Sequence, residues 1–136
     1  MEEKTGLEVG MTKTVEEIVN IHTTALAIKS GSVAVYGTPA VCALMERAAS
    51  ELAEENLAEG DTTVGAAISI KHTAPTPVGM KVRASALVTA VDGRKISFCI
   101  KAFDEKEEIA GGTHERVIVN RNRFTKKAAD KLASEH

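Results

Sequence analysis

The chain is 136 residues long. It is expected to fold as one domain over residues 1–136, since compact domains most often run to about 100–150 residues. Its composition, 43% hydrophobic and 26% charged, is that of a globular protein rather than a disordered tail. A net charge of −2, no basic stripe and no aromatic platform for stacking bases argue against nucleic acid as a partner.

No run of about twenty apolar residues is present to span a bilayer, so no membrane partner is expected. Aromatics make up only 3% and Trp is absent, which leaves the core to Val, Ile, Leu, Ala and Met. Cys42 and Cys99 lie far apart and form no CxxC or other zinc spacing. Two thiols without a framework suit a reducing compartment. The start, Met1-Glu2-Glu3-Lys4, lacks the basic and apolar regions of a signal peptide. Cytoplasm is the expected location.

In chain order, Gly10 to Val19 reads as a strand on its Thr and Val content, although Thr14-x-x-Glu17 also matches a capping box. Ser30-Gly31-Ser32 punctuates the chain as a loop. Tyr36 to Leu57 holds the strongest helix. Thr38 is its predicted N-cap and Pro39 its first helical residue, where the missing N–H costs nothing. Val41, Leu44, Met45, Ala48 and Leu52 recur at helical spacing, and Asn56, Glu59 and Gly60 mark the exit. At about 100° per residue, Glu46 falls beside Cys42, Ala49 and Ala53, off the centre of the apolar stripe. Those neighbours are small, so something bulky can approach the carboxylate.

From Asp61 the period changes to two. Val64, Ala66, Ile68, Ile70 and His72 are predicted to share one strand face. Thr73 to Gly79 reads as a proline-rich turn and Met80 to Val91 as the next strand. Asp92-Gly93 signals a hairpin, followed by a strand from Ile96 to Phe103. The acidic stretch Asp104 to Glu108 makes another turn. Ile109 to Asn120 is the last strand, with Gly111-Gly112 a predicted bulge. Phe124 to His136 reads as a short helix or a tail. One strand, one helix and four strands with short connections imply antiparallel pairing and an α+β domain whose sheet wraps the helix.

The histidines, His22, His72, His114 and His136, are dispersed, and no HExxH, GxGxxG, P-loop or GxSxG motif occurs. No metal and no bound cofactor are expected. Thr38, Glu46 and His72 remain in unusual settings, yet each has a plain structural explanation. Thr38 can be an N-cap, Glu46 a solvated helix flank and His72 a strand-end histidine bonded to backbone. Arg116 can be an exposed strand charge, and Arg47 with Glu51 an ordinary surface pair.

Taken together, three stretches carry a resemblance. They are Thr38-Pro39 through Leu44-Met45-Glu46 with Ala48-Ala49, Val64-Gly65 leading to Lys71-His72-Thr73-Ala74, and Gly112-Thr113-His114-Glu115-Arg116. Over roughly residues 8 to 125 the chain resembles the hotdog-fold thioesterases, and specifically their fluoroacetyl-CoA thioesterase branch. Glu46 stands eight positions after Thr38, and His72 seven positions after Gly65, which is the family's spacing. The resemblance implies a hotdog fold, a sheet around a central helix, and an acyl-CoA substrate. It implies that Thr38, Glu46 and His72 are the catalytic residues, with Gly65 near the thioester and Arg116 near the active site. By that implication His72 is the general base or acid, and Glu46 attacks the thioester or activates water. Thr38 orients Glu46 or donates to the reacting group, and a backbone N–H near Gly65 serves the oxyanion. The three catalytic groups are expected to converge within about 4–6 Å, directly or through one water. Pairing of hotdog domains through their sheets implies a homodimer with the site at the interface. One departure stands out: the lid phenylalanines of the fluoroacetyl-CoA enzyme have no counterpart in Lys29 to Tyr36. Fluoroacetyl selectivity is therefore expected to be weak. An acyl-CoA-binding module without catalysis, or a hotdog hydratase or dehydratase, are the alternative functions.

Overall fold

The computed structural model describes residues 6–133. Met1–Lys4, and His136 at the end of the expected tail, lie outside those residues. The elements are β1 (Thr12–Ile18), a 3-10 turn at Ile21–Thr23, α1 (Thr38–Glu54), β2 (Asp61–His72), β3 (Lys81–Asp92), β4 (Lys95–Phe103), β5 (Glu108–Asn120) and α2 (Arg121–Ala133). The N-terminal strand forms as expected, so the local capping-box pattern yields to pairing with β3.

All pairings are antiparallel, in the order β1-β3-β4-β5-β2. This corrects the expectation of consecutive hairpins. The Thr73–Met80 connection does not return β3 beside β2; it carries the chain across, and β2 pairs with β5 at the sheet edge. Anchors along that connection explain the path. The Thr76 hydroxyl donates to Asp104, and the Thr76 carbonyl accepts the Tyr36 N–H. The hairpin at Asp92-Gly93 does form, with Gly93 at φ +63°.

Helix α1 buries Val41, Leu44, Met45, Ala48, Ala49, Leu52 and Ala53. Each fully buried Val, Leu or Met side chain stabilises the fold by about 1.5–3 kcal/mol. Opposite them the sheet presents Val82, Ala84, Ala86, Val88, Ile96, Phe98, Ile100, Ala102 and Ile118, all buried. Alanines on both surfaces let helix and sheet approach closely, which compensates for the shortage of aromatics. Tyr36, almost wholly buried, donates its hydroxyl proton to Glu17. Burial, then that bond, push the phenol well above the ordinary range.

Two strand expectations need correction. Register shifts in β2 between Gly65 and Ala67, where Gly65 opposes Arg116 and Ala67 opposes Glu115. Ala66 is the extra residue of a bulge there, and side-chain parity changes across it. Val64, opposite Val117, therefore lies on the other face from Ile68 and His72. The Gly111-Gly112 pair, by contrast, carries no register shift. Gly112 is needed for closeness, since a Cβ there would collide with the Ser69 carbonyl and Ile70 Cα.

Candidate active site

Thr38 is not the N-cap of α1. Gly37 occupies that position with extended backbone and no side-chain cap, and Thr38 is already in the first turn. Its hydroxyl is thereby released, and Oγ1 lies 2.7 Å from His72 Nδ1. Backbone bonds set this meeting. Gly37 N–H donates to Thr23 O and Tyr36 N–H to Thr76 O, joining the start of α1 to the chain just beyond β2. His72 is half-buried, and its Nε2 is a buried atom with no hydrogen-bond partner among the described residues. Burial moves its pKa below the usual histidine value, against a hydrogen bond to the Ala74 backbone. Near neutral pH the ring is neutral and able to accept a proton. A cavity of about 370 Å³ adjoins the pair, lined among others by Ser30, Ser32, Val33, Thr38, His72 and Pro75. The segment without lid phenylalanines thus forms one wall of this cavity.

Glu46, half-buried on α1, belongs to a second cluster. A Cβ added to Gly65 would lie 3.1 Å from Glu46 Oε2, 3.5 Å from Arg116 Nη1 and 3.5 Å from His114 Cε1. Only a glycine leaves this gap open. Arg116 is not an exposed strand charge; it is 7% exposed. Its Nε donates to Thr63 Oγ1 at 2.7 Å and its Nη2 to the Thr63 carbonyl at 3.1 Å. Burial pulls the guanidinium pKa down, while the charges of Glu46 and Glu54 push it up. Cys42, one turn before Glu46, has its thiol pKa raised by burial and then by the Glu46 charge. That keeps it a neutral thiol rather than a competing nucleophile.

The three expected groups do not meet within one chain. Thr38 and His72 form one pair; Glu46, Gly65 and Arg116 form another cluster. Thr38 and Glu46 are separated by about 12 Å of helix. Gly65 and His72 stand about 20 Å apart along β2. His114 and Thr63 were not singled out for a role by sequence reasoning. The available signal was parity: His114 and Arg116 are two residues apart on β5, hence on one face, and both point toward α1. Arg47 and Glu51 do pair at the surface, at 3.0 Å. No three His, Cys, Asp or Glu side chains among the described residues are grouped to hold a metal ion.

An antiparallel sheet curved around one helix, with a histidine and a carboxylate beside the helix, defines a hotdog-fold protein. Solved structures agree. A hot-dog-like protein from Thermanaerovibrio acidaminovorans is 24% identical, with a TM-score of 0.84 over 93% of this chain and 94% of that one. The structure described as that of the fluoroacetyl-CoA thioesterase FlK is 32% identical, with a TM-score of 0.88 over 93% and 98% of the two chains. The fluoroacetyl-CoA thioesterase of Streptantibioticus cattleyicolor is 34% identical over 134 residues, covering 94% of this chain and 96% of that protein. The family model described as fluoroacetyl-CoA-specific thioesterase matches residues 19–122. The chain belongs to the fluoroacetyl-CoA-specific thioesterase family.

Proposed function

We propose that two copies of this chain form an acyl-CoA thioesterase that cleaves a small or medium acyl thioester to free acid and CoA. The observation that carries the reading is the Thr38–His72 pair, whose buried Nε2 lacks a partner on a ring that lines the cavity. A neutral imidazole so placed accepts a proton from water as the water oxygen bonds to the thioester carbon. The C–S bond then breaks, and the imidazolium returns the proton to the CoA thiolate. Glu46 orients that water. The neighbouring Arg116 charge offsets its own, which favours this role over direct attack. Backbone N–H groups at the Gly65–Ala66 bulge are suited to the developing oxyanion, because the bulge leaves Ala66 without a ladder partner.

The separation of the two clusters supports a homodimer. β2 is an edge strand, and Gly65 to Ser69 are exposed along it. Unpaired edge groups favour pairing with a second copy. An antiparallel pairing centred near Ile68 and Ser69 sets Gly65, and with it Glu46, against His72 of the partner subunit. Each site then takes Glu46 from one copy and the Thr38–His72 pair from the other. Among the described residues no helix is long and apolar enough to cross a membrane. Both thiols are free, which supports a cytoplasmic location.

Subunit complementation tests the reading. Glu46→Gln and His72→Ala proteins are each expected to be inactive on a panel of acyl-CoAs, read by CoA thiol release. Refolded together, they regain about a quarter of the parent rate, since half the dimers carry one intact site. No regain overturns the shared site. Binding without thiol release by the parent indicates a binding module, and hydration without release a hydratase. A monomer by light scattering overturns the dimer.

A further inference from the structure

We propose that His114 is a positioning residue whose neutral imidazole fixes the Arg116 guanidinium beside Glu46. The kinetic part of this proposal rests on the thioesterase reading above; its geometry does not. His114 is 2% exposed, and its Nδ1 lies 2.8 Å from the Ala67 carbonyl oxygen. A carbonyl only accepts, so Nδ1 carries the proton and Nε2 of the neutral ring is left with a lone pair. Arg116 Nη1 lies 3.2 Å from that Nε2. A guanidinium only donates, so this contact demands the same tautomer. The two bonds agree.

With Thr63 taking Nε and Nη2, the guanidinium is held at all three nitrogens. Remove the His114 acceptor, and Nη1 loses the bond that orients it toward the Gly65 gap and the Glu46 carboxylate. The ring is itself fixed. From β4 its neighbour is Phe98, with centroids 6.0 Å apart; from β2 come the Ala67 carbonyl and Gly65. The charged groups acting on it are Arg116 on its own strand and Glu46 from α1. Burial chiefly, and Arg116 in addition, hold its pKa below the ordinary histidine value, against the Ala67 carbonyl and Glu46. A protonated ring would turn an N–H toward the Arg116 donors and break the arrangement.

The test combines spectroscopy with kinetics on the full-length protein. Nitrogen-15 NMR of histidine-labelled protein at pH 7 is expected to show His114 neutral with the proton on Nδ1. His114→Leu, which leaves Nη1 unsatisfied, should lower kcat by about 10–100-fold with KM little changed. His114→Gln, whose side-chain carbonyl can accept from Arg116, should restore most of that loss, to within about fivefold of the parent. Circular dichroism checks that each variant is folded. A proton on Nε2, or equal activity of the Leu and Gln variants, overturns the proposal. If the Leu variant does not fold, the tautomer and the Gln variant decide. A parent protein that shows the Nδ1–H tautomer but releases no CoA refutes the thioesterase reading and leaves the geometry standing.

Discussion

Thr38 Oγ1 and His72 Nδ1 meet at 2.7 Å because Thr38 sits inside the first turn of α1 rather than capping it. A side chain that caps a helix points at backbone N–H groups; this one points at an imidazole. Thr38→Ala should therefore not incur the usual N-cap loss of about 0.5–2 kcal/mol. The expected outcome is an unchanged melting temperature with turnover reduced, and recovery in Thr38→Ser. His72→Ala should lower turnover by about 10²–10⁴-fold, the usual contribution of a positioned acid or base. A Thr38→Ala protein that melts early but turns over normally would return Thr38 to a structural role.

If Glu46 orients water rather than attacking, no covalent intermediate forms on it. Intact-mass spectra of enzyme quenched during turnover should show only the unmodified chain. An added acyl mass mapped to Glu46 would assign it as the nucleophile.

Gly65 and Gly112 should respond differently to alanine. At Gly65 the new Cβ presses on the flexible end of Glu46, 3.1 Å away, so activity falls while stability changes little. At Gly112 it meets the β2 backbone, which cannot yield without breaking the edge pairing. Overpacking of this kind costs about 1–3 kcal/mol or more. Urea denaturation of the two variants, set beside their rates, checks the contrast.

Stability should decline as pH falls below the ordinary histidine value of 6.5. His72 and His114 have depressed pKa values in the folded state, each chiefly through burial. Below 6.5 the unfolded chain binds protons there that the folded chain does not, so protonation favours unfolding until the folded imidazoles also titrate. Asp104 acts in a separate, more acidic window. Burial opposes its charge, but bonds from the Lys106 and Glu107 N–H groups and the Thr76 hydroxyl hold its pKa below 3.8. Melting temperatures that stay flat from pH 7 to 5 would contradict the histidine effect.

Fluoroacetyl-CoA should be preferred over acetyl-CoA only weakly. The wall of the cavity beside His72 includes Ser30, Gly31, Ser32 and Val33. Tyr36, the aromatic in its lining, is buried with its hydroxyl on Glu17 rather than set as a lid. A ratio of kcat/KM values in the hundreds would show that another element discriminates.

Periodicity determined the helix at Thr38 and the strands after it, Thr and Val content the first strand, and Asp92-Gly93 the turn. These depend on spacing, on β-branched residues and on a glycine free to take positive φ. The three motif stretches singled out Thr38, Glu46, His72, Gly65 and Arg116 as the candidate site residues. Sequence could not reveal that β2 crosses to β5, since strand order depends on which edge the connection reaches, held here by Thr76 and Asp104. Nor could it reveal the bulge at Ala66, which reverses side-chain parity and places Gly65 on the same face as Arg116. The burial of Arg116 and the tautomer of His114 depend on Thr63 and Ala67, some fifty residues earlier in the chain. Only packing brings such partners together. The split between the Thr38–His72 pair and the Glu46 cluster is of the same kind. Rigid helix and strand rises keep them apart in one chain, whatever their closeness in the motif.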